Sequence, residues 1–99
     1  MEHPKFIITS GGHLRLGMVT LLRDLLMAHE DCLGGGFYEF DHTSGRIILS
    51  GKSFDYGPPR WSRLSELHVP AASSGMGIVY RDSWGEEIDI ASQLIIKYY

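Results

Sequence analysis

Five histidines, His3, His13, His29, His42 and His68, are the side chains of this chain best suited to acid–base chemistry or metal binding. None of them forms a His-x-His or His-x-x-x-His pair, and the single cysteine, Cys32, rules out Cys-x-x-Cys. The local spacings that put ligands on one face of an element are therefore missing, and the expectation is no metal and no cofactor. Nucleophilic catalysis has no local frame either: Ser10-Gly11-Gly12 and Ser73-Ser74-Gly75 lack the Gly-x-Ser-x-Gly turn that exposes a strained serine. Gly34-Gly35-Gly36 precedes a strand instead of opening a helix and ends in no Gly-Lys-Ser/Thr. It reads as a helix stop and a flexible entry to a hairpin, not as a phosphate loop.

Two other groupings could bind a ligand. His13 and Arg15 come directly after Gly11-Gly12, and in an extended stretch residues two apart point the same way, so the pair could contact an anion beside exposed backbone N–H groups. The bland alternative is a solvated strand face. The second grouping is the basic block from Arg46 to Arg63, where Lys52, Arg60 and Arg63 interleave with Phe54, Tyr56 and Trp61. That mix stacks bases and neutralises phosphates, and it also makes protein hot spots. Gly51, Gly57, Pro58 and Pro59 restrain the segment 53–61, so Asp55, Tyr56, Arg60 and Trp61 join His13 and Arg15 as binding candidates. In a structural role, Asp55 would hydrogen-bond the turn backbone and Trp61 would be core. No residue is assigned a catalytic role; were the chain an enzyme, His13 and Asp55 are the acid–base pair that residue type alone offers.

Periodicity and punctuation define the elements that must position these residues. Lys5 to Thr9 reads as a strand stopped by Ser10-Gly11-Gly12. Leu14, Leu16 and Met18 alternate with His13, Arg15 and Gly17 in strand fashion, but Met18, Leu21, Leu22, Leu25, Leu26 and His29 obey the helical i, i+3, i+4, i+7 rule. The helical pattern predicts a helix near 18–29. Phe37 to Asp41 and Arg46 to Ser50 flank His42-Thr43-Ser44-Gly45 as a hairpin. Pro59 at a first turn, with Trp61, Leu64 and Leu67 or His68 behind it, predicts a second helix near 59–68. Met76 to Tyr80 and Leu94 to Tyr98 are further strands, and Asp82-Ser83-Trp84-Gly85 is a turn. The expected fold class is α+β: one domain over 1–99, a mostly antiparallel sheet of about four to five strands with two helices on one face.

Composition sets outer limits. The chain has 99 residues, 43% of them hydrophobic, 21% charged and 11% aromatic, which is ordinary globular material. A chain this size buries roughly 60 to 68% of its unfolded surface, enough for one modest core and not for a large enclosed cleft. The formal net charge of −3 argues against wholesale binding to nucleic acid or anionic membrane. Cys32 cannot close an internal disulfide, and Phe6-Ile7-Ile8 is far shorter than a signal-peptide core or a membrane span. The expectation is a cytoplasmic protein with no membrane partner. Cys32 itself has no lysine or arginine near it in sequence to lower its pKa and reads as a small buried hydrophobe.

Lys5-Phe6-Ile7-Ile8-Thr9, Gly12-His13-Leu14-Arg15-Leu16-Gly17, Arg23-Asp24-Leu25-Leu26, Cys32-Leu33-Gly34-Gly35-Gly36 and the run Leu49 to Pro59 resemble a small uncharacterised protein family of gut Bacteroidetes. The resemblance covers about the first two thirds of the chain. It implies a bacterial, cytosolic protein and carries no catalytic role onto any residue.

These observations lead to a small noncatalytic interaction module that meets a protein partner or a second copy of itself as a homodimer. Leu94 to Tyr99 is an apolar, β-prone run of the kind that invites another chain when its edge is unpaired. The alternative is nucleic-acid or nucleotide binding through Arg15, Lys52, Arg60 and Arg63 with the stacking aromatics.

Overall fold

The computed structural model describes residues 1–51 and 56–99. Eight strands account for its regular structure: β1 (His3–Thr9), β2 (Leu14–Val19), β3 (Cys32–Asp41), β4 (Arg46–Ser50), β5 (Glu66–Val69), β6 (Gly77–Arg81), β7 (Glu87–Asp89) and β8 (Ile95–Tyr98). Six of them form one sheet in the order β2-β1-β3-β4-β6-β7, and β5 and β8 form a second. The expected α+β class is thereby corrected to a mainly β fold: among the described residues the only helical pieces are four short 3₁₀ turns.

Both expected helices give way for physical reasons. Over 18–29 the chain stays in β2 up to Val19, which pairs with His3, and then makes one 3₁₀ turn, Leu22–Leu25. Leu21 offers no side-chain cap to that turn, and a short helix without a cap is marginal in water, whereas pairing with β1 supplies a continuous ladder. The i, i+3 leucines are still used, since Leu22 packs over Gly35 and Leu25 over Gly17. Over 59–68 the chain makes the 3₁₀ turn Trp61–Arg63 and then enters β5, where Leu67 and Val69 are buried and alternate with Glu66 and His68 at the period of a strand.

Four of the five pairings among the described strands of the large sheet are antiparallel, the mostly antiparallel arrangement expected. The hairpin β3–β4 is antiparallel as expected, but β4 pairs with β6 in parallel, and β5 pairs with β8 in parallel. A parallel pair needs a crossover, and here the crossover between β4 and β6 carries β5 across the sheet. There it covers the apolar face: Phe6, Ile8, Leu14, Ile47, Leu49, Ile78 and Tyr80 pack with Leu67, Val69, Ile90 and Leu94 into one core.

The opposite face of the large sheet is roofed by charge. Arg46 reaches Glu87 at 3.1 Å and Asp41 at 3.9 Å, and Arg81 reaches Glu87 at 2.8 Å and Glu39 at 3.8 Å. Ile48 and Val79 lie buried on this face of the sheet, in register with Glu39 and Asp89. No described helix is long and apolar enough to cross a membrane.

Candidate functional site

The loop Ser10–Gly12 turns tightly between β1 and β2. Thr9 N–H donates to the His13 carbonyl, and Thr9 Oγ1 accepts from His13 N–H at 3.1 Å. Gly12, at φ +82°, sends its carbonyl to His68 N–H at 2.8 Å, which joins the start of β2 to β5 by a single parallel bridge between His13 and His68. That bridge sets the two imidazoles face to face, with ring centroids 4.7 Å apart and planes 17° apart. The ring of Tyr99 closes the third side, edge-on to His13 at 5.3 Å, and its hydroxyl donates to the Leu14 carbonyl at 2.8 Å.

Charged groups frame this cluster. Glu66 Oε1 lies 3.2 Å from His68 Nε2, a hydrogen bond when that nitrogen carries a proton, and Glu66 Oε2 takes Lys97 Nζ at 3.1 Å. Lys97 and, after it, His68 hold the Glu66 carboxyl below the usual range. Arg15 Nη2 donates to Glu30 Oε2 at 2.7 Å, while Arg15 Nε is buried with no partner among the described residues. Burial, together with Glu30, pushes the Tyr99 phenol up against the pull of Arg15. The cluster presents two flat rings, an oriented carboxylate and a half-buried guanidinium. The described residues do not bring three or more His, Cys, Asp or Glu together as metal ligands.

His13 and Arg15 thus share one end of β2 as their spacing implied, and the structure adds His68, 55 positions downstream of His13, which no local pattern links to it. The second grouping divides. Lys52, Phe54 and Asp55 lie outside the described residues. Tyr56, Arg60 and Arg63 are exposed. Trp61 instead packs edge-on against Tyr80 at 5.5 Å and joins the core. Around it the segment is tied down as scaffold: Gly35 N–H donates to the Gly57 carbonyl, Arg60 N–H to the Leu33 carbonyl, and Pro59 is buried against Gly34. Arg15 is committed to Glu30, which removes one of the four cations expected to gather for phosphate binding.

Comparison with protein-family models, with curated proteins and with solved structures finds no match to this chain. Functional assignment therefore rests on the geometry of the site and of the sheet edges.

Two further features matter, of which the sequence marks the first, in the run Leu94 to Tyr99, and not the second. The first is the outer edge of β8: Ile95 N–H donates to Ser65 and Tyr99 N–H to Val69, so the alternate amides and carbonyls of Ile96 and Tyr98 face away from β5. The second is Trp84, which stands 88% exposed at the tip of the β6–β7 hairpin. A tryptophan inside Asp-Ser-Trp-Gly, with no apolar periodicity around it, was the signal available for it.

Proposed function

We propose that this chain is a small noncatalytic interaction module that pairs with a second copy of itself along β8. The observation that carries the reading is the one-sided pairing of β8, whose outward backbone groups meet no described strand. The exposed side chains there are apolar or aromatic: Ile95 is 63% exposed, Tyr98 44% and Tyr99 51%. An edge of this kind is a template for strand addition, and Lys97, which would otherwise discourage pairing, is drawn down to Glu66.

A two-fold antiparallel pairing has a preferred register. Centring it on Lys97 sets two lysines directly opposite each other, which is unfavourable. Centring it on Ile96 keeps the outward amides facing each other and places Lys97 of one copy opposite Ile95 of the other. Light scattering over a concentration series tests this. The unaltered protein is expected to move from monomer to dimer. Ile95→Lys, which opposes lysine to lysine twice, should yield monomer, and Ile95→Glu should tighten the dimer about fivefold. A strict monomer at high micromolar concentration, or the two variants shifting the equilibrium the same way, overturns the reading.

A further inference from the structure

The turn that carries Trp84 is built rigidly. Asp82 Oδ1 accepts from Trp84 N–H and from Glu86 N–H, both at 2.9 Å. Gly85 N–H donates to the Asp82 carbonyl at 3.1 Å, and Asp82 N–H to Glu86 at 2.9 Å. Gly85, at φ +81°, supplies the left-handed residue that closes the loop. Behind the tip, Glu87 is clamped by Arg81 and Arg46. The backbone beneath a large exposed ring is thus already ordered, so covering the ring costs little backbone freedom.

The same turn forms one wall of a cleft of about 300 Å³, lined by Ser50, Gly51, Arg81, Asp82, Ser83 and Gly85. Its polar groups are free to a useful degree. The hydroxyls of Ser50 and Ser83 make no hydrogen bond among the described residues, and neither does Asp82 Oδ2. Arg81 is the one cation among the described lining residues, and Glu87 and Glu39 already share it. An anion would meet Asp82 at the cleft and Glu86 and Glu87 close behind, with no uncommitted positive charge among the described lining residues to offset them.

We propose that the Trp84 tip and the adjoining cleft bind a neutral saccharide. A pyranose has an apolar C–H face that covers an aromatic ring and a rim of hydroxyls that donate and accept. The exposed indole, which adjoins the cleft through Ser83 and Gly85 without lining it, matches the first, and the carboxylate oxygen, the two serine hydroxyls and the guanidinium edge match the second. The site lies between the β6–β7 hairpin and the end of β4 and includes no residue of β8, so it is independent of strand pairing.

The test is a ¹H–¹⁵N correlation experiment on the intact chain with millimolar maltohexaose, cellohexaose, mannohexaose and xylohexaose, each added separately. At least one is expected to shift the Trp84 indole N–H and the amides of Ser83, Gly85 and Gly51 while leaving the Trp61 indole in place. Trp84→Ala removes an exposed ring and should keep the remaining spectrum, with binding weakened more than about tenfold; Ser83→Ala should weaken it less. Silence from all four sugars overturns the proposal, as does a shift that persists undiminished in Trp84→Ala. Hexalysine, added to the same protein, is expected to leave these resonances unmoved; movement by hexalysine and by none of the sugars would assign the tip to cationic peptides and also overturn it.

Discussion

Ser50 places its carbonyl oxygen where a Cβ on Gly36 would stand, and at Gly35 that Cβ would lie 2.6 Å from the Phe6 carbonyl oxygen. At Gly34, φ is +142° and the backbone of Pro59 fills the same space. The three glycines are thus the floor on which a neighbouring strand and the Gly57–Arg60 segment lie, not a loose entry to the hairpin. Their composition alone does not separate these roles, because a helix stop and a close backbone approach both call for glycine. Gly36→Ala should lower stability by at least about 3 kcal/mol in urea unfolding, since the Ser50 backbone cannot yield as a flexible side chain would. Gly77→Ala, whose Cβ would meet only the flexible Arg46 side chain, at 3.4 Å from Cγ and 4.0 Å from Cδ, should change stability by no more than about 0.5 kcal/mol. Equal effects at both positions would show that packing against Gly36 is not what fixes it. Cys32 belongs to the same close-packed stretch: it is half-buried, its thiol donates to the Gly34 carbonyl at 3.1 Å, and desolvation pushes its pKa up, which accords with an unreactive thiol.

Among the elements, the strands were legible where side chains alternate or β-branched residues cluster, as in β1, the β3–β4 hairpin and β6. The helices were misread because Leu21, Leu22, Leu25 and Leu26 satisfy a helical period by coincidence of spacing, while the partners that decide the matter, His3 to Ile8 of β1, lie elsewhere in the chain. Charge on the outer face of the large sheet could not be paired from sequence either, since Arg46 and Glu87 are 41 positions apart. That roof has a pH signature. Hydrogen bonds from Arg81 and Arg46 hold the Glu87 carboxyl below its ordinary value, and Ser44 does the same for Asp41. A carboxyl whose folded pKa is depressed adds stability above its unfolded value, and that stability is lost as pH falls through the folded one. The melting temperature should therefore hold above about pH 5 and decline from about pH 4.5 downward. Glu87→Gln should flatten that decline. A wild-type profile unchanged down to pH 3, or a Glu87→Gln profile as steep as wild type, would remove the roof from any part in acid stability.

For the whole molecule, composition bounded the chain correctly to one modest core, but the way the core closes is a long-range matter. It depends on β5 crossing the sheet and on β8 returning beside it, and on the His13–His68 bridge that joins the start of β2 to that second layer. Part of the candidate site was readable, because His13 and Arg15 sit two apart at the start of β2; His68, Glu66 and Tyr99 arrive through topology. The shared direction of β5 and β8 also decides how the molecule answers a mechanical load. Handles at Ser65 and Tyr99 pull the two strands past each other, so their hydrogen bonds resist together in shear, whereas handles at Phe37 and Ser50 peel the β3–β4 hairpin open one bond at a time. Optical-tweezer measurements should show the higher rupture force for the first pair of handles, although it spans four residue pairs against five. The reverse order would mean that β8 is held by its side chains and not by its ladder. A domain tethered through this strand would resist tension along one axis and yield readily along another.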